Sequence, residues 1–364
     1  LQVNAIHECL TLVAALLVVS AAAAQERVEV REYSPSDECD WQLTRRLAGL
    51  AGLPAGHAHW PSLWPDDDPR TERAGVELLA EVDGLVVGRV LLEAHHHPYC
   101  ELVNLCVRPD CEGMGVATAL VQESIRRARQ LGFKVMVLQE SLDDGPAHGI
   151  YQRAGFVPAT RGDMQRMVKL LDVPLVASLL RTFPDAEFVS EPPPDRGEKW
   201  WRLSWHAGAD DFVALYLHGG SCQFDSDGFQ PVIQACEFAY NGVSLAVEAD
   251  MAAEIARGAV GDLRLHLENR GAEPFEGAVR AMLLPETEID GEAALRALPV
   301  TLEPGGEQTA VLPIRARHQF RCDYLPFGSY LSVPMTAEVC WKAGSVLLSV
   351  AVKVRAFSDG ECLG

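Results

Sequence analysis

The chain has 364 residues, 48% of them hydrophobic, and its 51 acidic against 31 basic side chains give a formal net charge of −20 at pH 7. That length suits two domains, each with enough apolar material for a core. The acidic excess argues against a general nucleic-acid binder and against stable association with an anionic membrane, since both would repel it.

Residues 1–25 read as an apolar N-terminal extension or signal-like segment. The run from Cys9 to Ala24 is apolar and ends in small residues before Gln25, as a secretory signal does. No Lys or Arg precedes it, and it is short for a transmembrane helix. Arg27-Val-Glu-Val-Arg-Glu-Tyr33 alternates like an edge strand. Ser34-Pro-Ser-Asp37 offers a helix cap, and Trp41, Leu43, Leu47 and Leu50 then mark one apolar helix face. Residues 57–73 are rich in Pro, Asp and Trp, with Trp60 and Trp64. Residues 76–82 and 85–92 are strands joined by Asp83-Gly84, a strong hairpin signal. His95-His-His97 follows at a turn. Neighbours in extended chain point opposite ways, so these three do not converge on one ion and a solvated loop is expected.

Residues 101–107 form the next strand, with Cys100 and Cys106 expected on one side of it. The ten cysteines include no Cys-x-x-Cys pair, so no zinc site is expected and reduced thiols are the simpler reading. The strand runs into Pro109. Small residues alternate at Gly113, Gly115 and Ala117, and Leu120, Val121, Ile125, Ala128 and Leu131 recur at helical spacing. A strand, a small-residue turn and a helix N-terminus together make a phosphate cradle. The first-turn N–H groups lack intrahelical partners, the helix dipole is positive there, and missing side chains let an anion approach the backbone. A strand at 133–138, a helix containing Ala147-His-Gly-Ile-Tyr-Gln-Arg-Ala-Gly-Phe156, and an alternating strand at 163–171 complete this half.

Residues 173–180 read as a short helix. Ser190-Glu-Pro-Pro-Pro-Asp-Arg-Gly197 is a stiff polar linker or long loop, and whether a second domain begins before or after it stays open. Trp200, Trp201 and Trp205 lie close together and read as one strand, with further strands at 212–217 and 234–238. Asp225-Ser-Asp-Gly228 begins like a calcium loop but lacks the remaining ligands, and reads as a turn. Short strands from 261 onward, ending in a hairpin over Ala343-Gly344, indicate a β-sandwich. Its Leu-x-Leu-x-Asn-x-Gly and Leu-x-Pro-Gly-Gly turns resemble those of immunoglobulin-like modules, which usually bind, cover or dimerise.

Two of these stretches carry a resemblance. Val107-Arg-Pro109 followed by Glu112-Gly-Met-Gly115-Val-Ala117 resembles the acetyl-CoA motif of the GNAT (Gcn5-related) N-acetyltransferases, which is Val-x-Pro and then Arg/Gln-x-x-Gly-x-Gly/Ala. Glu112 stands where the family has Arg or Gln. Residues 147–156 resemble the family's Ala-x-x-Leu-Tyr-x-x-x-Gly-Phe. The resemblance implies an α+β fold, a mixed central sheet flanked by helices, over residues 26–171. A connecting segment at 172–200 and an all-β, sandwich-like domain at 201–364 would follow.

It also implies an acyltransferase that moves an acetyl group from acetyl-CoA, its co-substrate, to a primary amine by direct attack in a ternary complex. Residues 112–117 (Glu112, Gly113, Met114, Gly115, Val116 and Ala117) would hold the diphosphate. The backbone of Leu105, Cys106 and Val107 would pair with the pantetheine arm. Asp144 stands where relatives often have a cofactor-contacting Asn. Glu101 would take the amine's proton and Tyr151 would serve the leaving thiolate. No metal is implied. The acceptor would be a small-molecule or peptide amine, a homodimer is compatible with the β-module, and the location of the cofactor implies the cytoplasm unless residues 1–25 direct export. The alternative is a non-catalytic CoA-binding or interaction protein that keeps the shell of this fold.

Overall fold

The computed structural model describes residues 28–37, 43–44, 75–96, 98–141, 145–159, 164–208, 210–219, 231–256, 258–282, 287–289, 297–316 and 330–355. Residues 1–27, Trp41, Trp60, Trp64, Asp144 and residues 225–228 lie outside that set.

The first half is built on a seven-stranded sheet. Its strands are β1 (Val28–Glu32), β2 (Gly75–Val82), β3 (Leu85–His96), β4 (Tyr99–Val107), β5 (Val135–Ser141), β6 (Val157–Pro158) and β7 (Met164–Leu170), in the order β1-β2-β3-β4-β5-β7-β6. Only β4 and β5 run parallel, and the other neighbours are antiparallel. The β2–β3 hairpin turns on Asp83 and Gly84, with φ of 53° and 78°. Positive φ at both turn residues is what the strands' twist requires and what Asp-Gly tolerates. Helix α1 (Val116–Gln130) lies on one face of the sheet and buries Val116, Leu120, Val121, Ile125 and Ala128. Helix α2 (Gly145–Arg153) shares that core through Ala147, Ile150 and Tyr151. Gly88 lets α1 come close, because a Cβ there would stand 2.7 Å from Val116 Cγ1 and 3.2 Å from Cys106 O.

The second half begins with helix α3 (Pro174–Thr182), followed by thirteen strands. They are β8 (Glu187–Glu191), β9 (Trp200–Ala207), β10 (Asp211–His218), β11 (Val232–Tyr240), β12 (Val243–Asp250), β13 (Glu254–Ala256), β14 (Val260–Asn269), β15 (Phe275–Met282), β16 (Thr287–Ile289), β17 (Leu298–Leu302), β18 (Glu307–Ala316), β19 (Tyr330–Trp341) and β20 (Gly344–Arg355). Eight make one sheet, β16-β18-β14-β12-β11-β10-β9-β8, and five make the other, β13-β20-β19-β15-β17. Apolar residues of both sheets meet in one core, as in a sandwich.

Several local readings change. Ser190 and Glu191, at the start of the Pro-rich stretch, belong to β8, which pairs with β9 at the edge of the eight-stranded sheet. Asn241-Gly242, at φ of 56° and 77°, closes a hairpin between β11 and β12 that carries the strand past residue 238. Leu43, expected on an apolar face, is exposed, while its neighbour Thr44 is buried and donates to Val86 O at 3.1 Å.

Cys100 and Cys106 do not share a side. Asn104, at φ 55°, lies where the β3–β4 register slips. Such a bulge inserts a residue and inverts the alternation beyond it. Cys100 and Leu102 therefore face α1, and so do Leu105 and Val107 beyond the bulge, whereas Cys106 is buried on the opposite face beside Arg89.

The two halves share a core. Val135-Met-Val-Leu138 is apolar throughout, as a strand covered on both faces must be. Met136 and Leu138 pack toward α1. Val135, Val137, Val168 and Tyr99 pack on the other face with Leu175 and Leu179 of α3 and with Trp201, Ile233 and Leu348 of the sandwich.

Candidate functional site

The site lies where β4 and β5 part. Their parallel ladder runs from Tyr99↔Val135 to Leu102↔Leu138 and stops there. Beyond it, β4 continues to Val107 paired only with β3, and β5 continues to Ser141 paired only with β7. The edges of residues 103–107 and 139–141 therefore face each other without a ladder, and their backbone groups are open to an extended ligand. The bulge at Asn104 starts this divergence.

At the head of the opening, β4 leads through a 3-10 turn, Pro109–Cys111, into α1. Within the turn, Cys111 N–H donates to Arg108 O at 2.9 Å, and longer bonds of 3.4 Å join Glu112 N–H to Pro109 O and Met114 N–H to Cys111 O. Gly113 and Gly115 have φ of 76° and 83°, and Gly115 caps α1 in the left-handed conformation with no side-chain cap. The first α1 amide bonded to this cap is that of Ala119, which reaches Gly115 O at 2.9 Å. The N–H groups of Val116, Ala117 and Thr118 precede it and have no intrahelical acceptor. A Cβ built on Gly113 or Gly115 meets nothing within 4 Å, so the space above this turn is open. Open donors at a helix N-terminus suit a phosphate, and the residues present fit the diphosphate of a coenzyme. Glu112 is exposed at the rim of the turn.

Glu101 and Tyr151 lie on opposite faces of the sheet. Glu101 pairs with Val137 one residue before the β4–β5 ladder ends. Its neighbours Cys100 and Leu102 face α1, so Glu101 faces the other way and is half-buried. Tyr151 on α2 is 8% exposed, within the core under α1, and its ring meets Phe156 edge-on at 5.9 Å. Gly155, at φ 84°, ends α2 and lets Phe156 N–H return to Tyr151 O at 3.0 Å. Leu105 and Val107 are half-buried and Cys106 is buried, all on the strand's unpaired limb.

One pair escaped the sequence reading. Glu140, on the free limb of β5, is hydrogen-bonded to Nδ1 of His148 on α2. Glu140's side chain is 4% exposed and His148's is 33% exposed. The signal available was a Glu at the alternation position of Met136 and Leu138, which face the core.

Residues 45–156 match the model of the Acetyltransferase (GNAT) family. A mycothiol acetyltransferase of Pseudarthrobacter chlorophenolicus is 30% identical over 157 residues, 40% of this chain and 46% of that protein. A mycothiol acetyltransferase of Streptomyces coelicolor is 31% identical over 140 residues, 36% of this chain and 43% of that protein. The chain thus spans less than half the length of these curated relatives. Among solved structures, the PaiA N-acetyltransferase of Thermoplasma acidophilum in complex with coenzyme A is similar over 39% of this chain and 98% of its own, with 16% identity and a TM-score of 0.31. Residues 45–156 of this chain are a GNAT acetyltransferase domain, and a β-rich second half follows it.

Proposed function

We propose that the chain transfers an acetyl group from acetyl-CoA to a primary amine by direct attack in a ternary complex. The observation that carries this is the coincidence of two features at one place: the open amide cluster at the start of α1 and the unpaired limbs of β4 and β5. Acetyl-CoA would supply an activated carbonyl and a sulfur leaving group. The amides at residues 112–117 would hold its diphosphate, the backbone of Leu105, Cys106 and Val107 its arm, and Asp144 a further contact. Glu101, directly or through water, would take the proton that the amine loses on attack. Tyr151 would donate to the departing thiolate from the other face.

The names of the curated relatives make a small-molecule acceptor the first class to test, ahead of a peptide amine. The net charge of −20 steers cationic acceptors toward the chain. Dependence on acetyl-CoA would place the protein in the cytoplasm. The second reading is a CoA-binding or interaction protein that has kept the fold without the reaction. It is favoured by Glu112, an exposed acid at the rim of the proposed diphosphate site.

Coenzyme titration combined with thiol release across an amine panel separates the two. Saturable CoA binding with acetyl-dependent thiol release on at least one amine is expected. Tight binding with no turnover on any amine favours the second reading, and no binding removes both.

A further inference from the structure

We propose that Glu140 and His148 form the proton relay that serves Tyr151, which rests on the acetyl-transfer reading for Tyr151's role. Three observations carry it. Glu140 lies on β5 two residues past the last β4–β5 pair, on the wall of the opening itself. It turns to the same face as Met136 and Leu138, toward α2, where His148 Nδ1 meets its Oε1. His148 stands three residues before Tyr151, so their side chains are neighbours along one flank of the helix.

Burial makes the pair more than a surface contact. Glu140 Oε2 is buried and meets no hydrogen-bond donor among the described residues. A buried carboxylate accepts a hydrogen bond from whatever donor is in reach, and here that is the ring Nδ1. Nδ1 is thus committed to Glu140, and Nε2 is left to exchange a proton with something else. His148 is one-third exposed, so its ring reaches water, while Tyr151 is almost fully buried.

The chemistry needs such a group. When amine nitrogen bonds to the acetyl carbon and the carbon–sulfur bond breaks, the phenol proton of Tyr151 passes to the thiolate. Tyr151 is then a phenolate and must regain a proton before the next turnover. In the relay, His148 Nε2 takes a proton from solvent, and the imidazolium so formed gives its Nε2–H to the phenolate oxygen, directly or through one water. Glu140 holds the ring throughout. No electrons change hands, and each turnover returns the three side chains to their starting state. Among the described residues, the charged groups beside α2 include Arg153, whose guanidinium lies over Gly149, and Lys169, which donates to Ala154 O at 2.6 Å past the helix's far end. From α1 the shared core receives apolar groups, Leu120, Val121, Ile125 and Ala128.

The test uses the full chain with tyrosine rings labelled at carbon-13 Cζ, without coenzyme, and Tyr151→Phe to assign the resonance. The Tyr151 signal should move with pH through an inflection that vanishes in His148→Asn and changes in Glu140→Gln. Enzyme assays of the same proteins should show kcat reduced at least tenfold in His148→Asn with KM for acetyl-CoA unchanged. A Tyr151 resonance that titrates identically in wild type and His148→Asn overturns the relay. His148, being partly exposed, keeps the test open even if Glu140→Gln fails to fold. Should the wild type neither bind nor consume acetyl-CoA, the functional reading falls, while the titration still decides whether His148 and Tyr151 are coupled.

Discussion

Tyr99 of β4 donates its phenol hydrogen to Ser349 Oγ of β20 at 3.1 Å, across 250 positions of sequence. The same oxygen accepts the N–H of Ile233 at 3.0 Å, and Ser349 Oγ lies 2.8 Å from Thr336 Oγ1. Tyr99 is 1% exposed, and burial pushes its pKa up to about 12, so it remains a neutral donor at any physiological pH. A second bond crosses the same junction farther out, where Ser190 Oγ donates to Pro158 O at 2.9 Å and accepts from Trp201 Nε1 at 2.8 Å. The β-rich half therefore covers the sheet face that α1 leaves bare.

Tyr99→Phe keeps the ring but leaves the Ile233 amide and the Ser349 hydroxyl short of a partner. A buried unsatisfied group costs about 1–3 kcal/mol, so urea denaturation should show a loss in that range. A chain cut after residue 171 should be worse still, since Tyr99, Val135, Val137 and Val168 would face water. We expect it to aggregate on expression. A soluble, cooperatively folding fragment would show that the shared core is dispensable.

The turn before α1 makes a sharper prediction. Gly113→Ala and Gly115→Ala put a methyl into open space, but each forces a side chain into left-handed backbone. That strain costs on the order of 1 kcal/mol and should lower the melting temperature by a few degrees. The Gly115 variant should lose at least tenfold in CoA affinity by titration calorimetry, because the new methyl occupies the approach to the amides. Unchanged affinity in both variants would move the coenzyme elsewhere.

What the sequence disclosed here was local. Positive-φ glycines, an apolar strand and an amphipathic helix in succession leave few alternatives, so the turn at 109–117 and the hairpin at Asp83-Gly84 could be read directly. The shared core could not, because its partners lie 134 and 250 residues from Tyr99. The one hint was Val135-Met-Val-Leu138, whose unbroken apolar run asks for cover on both faces. Asn104 hid the sidedness of Cys106, since a bulge leaves no mark in an alternation pattern. Glu140 and His148 were missed because their meeting depends on α2 folding back over β5.

His218 gives a pH dependence. Burial, and then the charge of Lys199, hold its imidazole below its ordinary pKa. The unfolded chain titrates near 6.5 and the folded site lower. Above about pH 6.5 both states are neutral there and His218 adds no pH dependence. Below it the unfolded state takes the proton first, so stability falls until the folded site protonates as well. Urea denaturation of wild type and His218→Gln at pH 7.5 and pH 5.5 should show a larger loss on acidification for wild type. Equal losses would mean that His218 contributes nothing to the acid sensitivity.

Arg89 and Glu77 form a buried ion pair behind the proposed coenzyme site. Arg89 Nε lies 2.9 Å from Glu77 Oε1, with both side chains almost wholly buried. Arg89 sits opposite Cys106 in the β3–β4 ladder, so the pair backs the strand limb that lines the opening. Removing one partner strands the other's charge away from water, at a cost of about 3–5 kcal/mol. Arg89→Met and Glu77→Leu should each destabilise the fold by that much in urea denaturation. The double variant Glu77→Leu/Arg89→Met carries neither charge of the pair, and well-packed apolar groups replace such pairs at little loss. It should recover most of the stability. If the two single losses simply add in the double variant, the pair is not the coupled unit its geometry describes, and the limb must be held by the backbone ladder alone.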